Sequence, residues 1–207
     1  MTDASVSPLL DYSVTAVTLE VVAVQWLLLS YRLPREPSRL RLAAWRRLRR
    51  AGAILLNEAV WTLPSDPKTR EHFEWLAEEI EEQGGTAFLW EAESLAASEE
   101  RLIVARFRSE AEARYLIIAD SAKAIQRAAT SRRHTRGAKV PAHALRQLRG
   151  LERALRLERR RDYFRVEARR EADTVVRHAE AAVARRVCST APTRQSHALD
   201  HATALSR

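Results

Sequence analysis

Four short apolar runs fall between residues 25 and 93, and what separates them alternates: a helical stretch, a tight turn, a second helical stretch. The runs are QWLLLSY (25–31), AILLN (53–57), AVWTLP (59–64) and TAFLWEAE (86–93). Each is too short for a core helix, is rich in leucine, β-branched or aromatic residues, and reads as a strand. After the first run, Pro34 and Pro37 punctuate a loop and Ser38 stands as a predicted helix N-cap. Leu40, Ala44, Leu48 and Ala51 then recur at helical period until Gly52. Asn57 and Glu58 mark a hairpin turn between the second and third runs. Asp66 and Pro67 open the second helix, whose apolar face is Phe73, Leu76 and Ile80, and QGG (83–85) stops it. The order strand, helix, strand, strand, helix, strand is the split βαβ pattern. It predicts an α+β chain with a ferredoxin-like domain over 25–105.

Beyond that domain the period changes. Ser98 with EERLIVARF fits either a fifth strand or a capped helix, but from SEAEARYLIIAD onward the spacing is helical. An arginine-rich helical region is therefore predicted over 106–186, interrupted by the basic loop SRRHTRGAK (131–139) and Pro141. Residues 1–24 carry no regular pattern and 187–207 are small and polar, so both are expected to be disordered. No long-period repeat is visible.

With 207 residues the chain can bury one core, or a small domain plus a helical part. Cys188 is the single cysteine, which excludes an intrachain disulfide. Together with the lack of a leader pattern this predicts a cytoplasmic protein. The most apolar window, VTAVTLEVVAVQWLLLSY, contains Glu20 and Gln25 and suits a strand better than a membrane helix.

The net charge of +8 conceals a segregation. Residues 1–120 hold 14 Lys+Arg against 19 Asp+Glu, whereas 121–186 hold 19 against 7. Within the first part, 71–100 contain ten acids and no Lys or Arg, while 32–50 contain eight arginines and the single acid Glu36. Opposed patches of this kind imply a polyanion partner, self-association, or both, and a homodimer is expected. Of the 35 basic residues 32 are arginine, a compositional bias that explains arginine over lysine and leaves the clustering unexplained.

Two arginine surfaces follow from helical spacing. Arg39, Arg46 and Arg50 fall within about 40° of one another, opposite the Leu40, Ala44, Leu48 stripe. Arg146, Arg149, Arg153, Arg156 and Arg160 follow i, i+3, i+7, i+10, i+14, a stripe about 21 Å long. Leu145, Leu148, Leu151 and Leu155 occupy another face, and Glu152 and Glu158 lie off the stripe. A duplex lying on these surfaces would be held through its phosphates, with affinity falling steeply with salt; the same spacing also fits a solvated helix face. Neither stripe carries an Asn or Gln placed to read bases. Arg132 and Arg133 in the basic loop fit a groove-entering arm and a linker equally well. Trp45 and Trp61 are expected in the core.

No glycine-rich phosphate loop, HExxH, GxSxG or CxxC occurs. Cys188, His197 and His201 are too loosely spaced for structural zinc, and His72 with Glu74 lacks a cysteine pair. The expectation is a protein without catalytic residues, metal or cofactor.

These residues resemble the amino-terminal domain of the ChrB chromate-resistance regulators. The likeness rests on WLLLSYRLPREPSRLRLAAWRRLRRAGAILLNEAVWTLP (26–64), GGTAFLWEAE, RFRSEAEARY (106–115) and RRRDYF (159–164), in order over about 25–186. It implies a cytoplasmic, chromate-sensitive transcriptional regulator that binds promoter DNA, with both arginine surfaces facing phosphates. The turn departs from the family, with Asn57, Glu58 and Ala59 where an Arg-Asp-Gly-like sequence is usual. Longer members continue into a second domain past the point where this chain ends, which implies an altered or absent chromate response. An alternative without DNA is an oxyanion-sensing or interaction module, in which Arg32, Arg35 and Arg39 bind chromate or a similar tetrahedral dianion. The strand and helix order is also similar to PaaX-type repressors and to ferredoxin-like CRISPR adaptation nucleases. In those nucleases an aspartate after the first strand holds the metal; Ser30, Tyr31 and Arg32 occupy that place here and argue against a nuclease.

Overall fold

The first leucine run becomes the centre of a four-stranded antiparallel sheet. In the computed structural model, which describes residues 24–131 and 142–190, β1 (Trp26–Arg32) pairs with β3 (Val60–Pro64) on one side and β4 (Thr86–Ala92) on the other. β2 (Ile54–Asn57) lies outside β3, giving the order β2-β3-β1-β4. Of the expectations above, the disorder of residues 1–23 and 191–207 and the conformation of the basic loop from Arg132 onward lie outside the described residues.

Alternation along the strands sends Leu27, Leu29, Trp61 and Leu63 to one face. There they share a core with Ala44 and Leu48 of α1 (Ser38–Ala51) and with Phe73, Leu76 and Ile80 of α2 (Pro67–Glu82). Burying Trp61 to this degree is worth about 3–5 kcal/mol against alanine. Asp66 caps α2 as expected: its carboxylate accepts from the Lys68 and Thr69 amides at 2.7 and 3.0 Å, and Thr69 closes the capping box. Gly52 ends α1 at φ +82°, where a Cβ would also meet the Arg161 side chain at 2.9 Å.

Two local expectations are corrected. Pro37, not Ser38, is the N-cap of α1, and no side chain caps that end. Ser38 is the first helical residue because the preceding proline's fixed φ suits the extended capping position. Trp45 is 48 % exposed, since it sits at the margin of the apolar stripe and α1 is covered on one side only.

The open choice at Ser98 resolves as helix. α3 (Ala97–Thr130) has 34 residues, about 50 Å of rise, and runs unbroken past residue 105. Its first half meets the second sheet face at Trp26, with Phe107 stacked on Trp26 at 5.7 Å and touching Tyr163 and Phe164. Its second half, through Ala111, Tyr115, Ile118, Ala119, Ala122 and Ile125, forms another core with α4 (Ala142–Arg161) and α5 (Ala168–Thr190). α3 is thus the spine shared by sheet and helical bundle. α5 extends through residues 187–190, the start of the segment expected to be disordered.

Candidate nucleic-acid interface

On α4, Leu148 and Leu155 are buried against α3 and α5, with Leu145 and Leu151 packed at the edge of that core. Fixing this face fixes the opposite one. Arg146, Arg149, Arg153, Arg156 and Arg160 are all exposed, and none forms an ion pair or side-chain hydrogen bond among the described residues. Five guanidinium groups along one outward stripe therefore retain their full hydrogen-bonding capacity.

α1 repeats the arrangement on a smaller scale. Arg39, Arg46 and Arg50 are exposed without a partner among the described residues. Their neighbours are engaged: Arg41 donates to the Pro34 and Arg35 carbonyls, Arg47 pairs with Glu79, and Arg49 pairs with Glu110 at 3.0 Å. The C-terminal ends of α1 and α4 meet. Arg161 donates to the Arg49 carbonyl at 2.9 Å, adding to the bond that carbonyl accepts from the Gly52 amide, and Tyr163 donates to the Ala51 carbonyl at 2.7 Å at the end of α1. Both exposed arginine rows thus run toward one junction.

That junction is held by an ion network. Glu158 is 1 % exposed and accepts from Arg114 at 2.8 Å and from Arg161 at 2.8 and 2.6 Å, while Arg114 also reaches Glu110. Next to it, the buried Asp162 accepts from the Tyr115 hydroxyl at 3.3 Å and from the Val166 amide at 3.2 Å. Burial, and then the Asp162 charge, push the Tyr115 phenol well above its ordinary range, and burial does the same for Tyr163.

The oxyanion candidates separate. Arg32 and Arg35 line one cavity of about 240 Å³ with Leu33, Pro34, Gly84, Gly85 and Thr86, and Arg39 is not among its lining residues. Arg132 and Arg133 lie outside the described residues. His72 is half-buried on α2, and its pKa is lowered: burial lowers it most, its hydrogen bond with the Arg47 backbone raises it, and the Arg47 charge lowers it.

The model of the family described as "Protein ChrB, N-terminal" matches residues 41–190. The chain belongs to this family. No curated protein and no solved structure matches it. Membership associates the chain with chromate-resistance regulation.

The stretches that carry the ChrB resemblance come together in space. From RFRSEAEARY, Arg106 donates to the Leu55 carbonyl at 2.7 Å, Phe107 stacks on Trp26, Glu110 and Arg114 join the ion network, and Tyr115 meets Asp162. From RRRDYF come Arg161, Asp162, Tyr163 and Phe164 of the same junction. The ChrB motifs thus record how sheet and bundle are fastened. Sequence spacing missed Glu158, taken for an acid merely off the stripe. A signal was present: Leu148, Leu151, Leu155, Glu158 and Asp162 follow i, i+3, i+7, i+10, i+14, so both acids continue the apolar row. Among the described residues of this ChrB-family chain, no helix is long and apolar enough to cross a membrane.

Proposed function

We propose that the chain is a DNA-binding transcriptional regulator of a chromate-resistance operon, acting in the cytoplasm and without catalytic activity, and that α4 and α1 hold DNA through phosphate contacts. The observation that carries this reading is the row of five exposed α4 arginines that have no partner among the described residues, beside inward arginines that are paired. A duplex lying along about 21 Å of that row is within reach of several phosphates, and each neutralised phosphate releases counterions. Such contacts position the protein without reading sequence. We also read the β2-β3-β1-β4 order, with helices between β1 and β2 and between β3 and β4, as a ferredoxin-like sheet.

The test is a titration of promoter DNA over a range of salt concentrations. Replacing Arg149, Arg153 and Arg156 by Gln keeps helix propensity. The slope of log K against log salt is expected to shrink by roughly 0.9 per lost contact. An unchanged slope in a folded variant would refute the assignment.

The cavity beside Arg32 and Arg35 favours a second reading, an oxyanion site. Two guanidinium groups in its lining make this corner attractive to a tetrahedral dianion. Replacing Arg32 and Arg35 by Gln would then abolish a chromate response while DNA affinity persists. Loss of DNA affinity alone would assign them to the phosphate surface.

A further inference from the structure

The two edges of the sheet are not alike. β2 has four residues, its register with β3 shifts between Leu55 and Asn57, and the Leu55 carbonyl is occupied by Arg106. Shortness, irregularity and a covering cation are the usual protections of an edge strand. β4 has none of these. It runs for seven residues in unbroken register with β1 from Thr86 to Ala92, and TAFLWEA contains no Pro, Lys or Arg. Its single charge, Glu91, is engaged by Ser65 and Arg70. On the other face Phe88 and Trp90 stack on each other at 5.8 Å and are 59 % and 49 % exposed.

We propose that β4 is a self-association edge, on which a second copy of this chain adds its own β4 antiparallel. Every second residue of an edge strand turns its N–H and C=O outward, and an antiparallel partner satisfies both. A two-fold axis at Leu89 sets Phe88 against Trp90 of the second copy, and Trp90 against its Phe88, extending the existing stack across the interface. Charge selects this direction. The start of β4 adjoins Arg32, its register partner at Thr86, and Arg35, whereas its end leads into Glu93. Antiparallel addition brings the arginine end of one copy to the glutamate end of the other. The surrounding segment 71–100, with ten acids and no Lys or Arg, repels a nucleic acid from the same edge.

Sedimentation of the full chain over a range of concentrations tests this, together with amide exchange and oligonucleotide binding. The wild-type chain is expected to dimerise, and the Phe88→Lys/Trp90→Lys variant to dissociate at least about tenfold more readily while remaining folded. Amides of β4 in the wild-type chain should exchange more slowly as concentration rises while those of β2 do not. That readout needs no variant and decides the matter if the double substitution fails to fold. A wild-type monomer at all concentrations, or β4 exchange independent of concentration, overturns the proposal. A variant that stays dimeric but loses oligonucleotide affinity also overturns it and assigns the aromatic pair to base stacking.

Discussion

Arg160 and Arg161 are neighbours on one helix with opposite situations. Arg161 turns inward, holds the buried Glu158 through two hydrogen bonds and closes the end of α1. Arg160 turns outward and has no partner among the described residues. The same contrast separates Arg49 from Arg50 on α1. In each of these two pairs one arginine fastens sheet to bundle and its neighbour faces solvent without a partner among the described residues, and helical phase decides which. Stability should therefore depend on the inner set, and salt-sensitive binding on the outer one.

The largest effect should come from the inner set. Replacing Glu158 by Ala leaves Arg114 and Arg161 facing each other without their shared anion in a mostly enclosed site. We expect a loss of about 3–5 kcal/mol, read by denaturant or thermal unfolding and little altered by salt. A loss under 1 kcal/mol would show that the network is as dispensable as the outer arginines. Gly52 probes the same junction by geometry. At φ +82° and with Arg161 Cβ 2.9 Å from an added Cβ, Gly52→Ala should cost about 1–3 kcal/mol in the same measurement.

A smaller effect is expected at the aromatic rim. The Tyr115 and Tyr163 phenols have pKa values raised above the ordinary 10.0, so the folded chain keeps protons that the unfolded chain releases. Their contribution is complete below about pH 10 and is lost as pH climbs beyond it. Tyr163→Phe should remove about 1 kcal/mol at neutral pH, through the lost bond to the Ala51 carbonyl, and flatten part of the alkaline decline. An alkaline profile identical to wild type would contradict this.

The contrast also shows what a sequence discloses. Strand and helix order, the Asp66 cap, the Gly52 stop and both outward rows follow from local spacing and were legible. The fastening was not, because its partners lie far apart: Arg114 and Glu158 are 44 residues apart, Arg161 and Arg49 are 112. Periodicity reports which side of a helix a residue occupies, not what meets it there. Trp45 failed for a related reason, since a place beside an apolar stripe implies burial only where a neighbour covers that margin. Edge protection is equally non-local: Arg106 shields β2 from a separation of 51 residues.

The smallest effect on stability should come from the α1 ridge, which makes it the sharpest probe of the outer set. Arg46 and Arg50 stand four residues apart on an exposed face, a like-charge spacing that costs a few tenths of a kcal/mol. Arg50 also lies in the last turn of α1, where the negative end of the helix dipole favours a cation and offsets that cost by a similar amount. Changing Arg39, Arg46 and Arg50 together to Gln should accordingly leave the unfolding midpoint unchanged within about 0.5 kcal/mol. If the ridge holds phosphates, the variant should lose affinity for all DNA sequences alike and show a shallower salt dependence. If it serves a small oxyanion, DNA binding should survive and the response to chromate should vanish. Intact binding with an intact response would make the α1 row a solvated surface, leaving α4 as the sole candidate among the described residues for holding DNA.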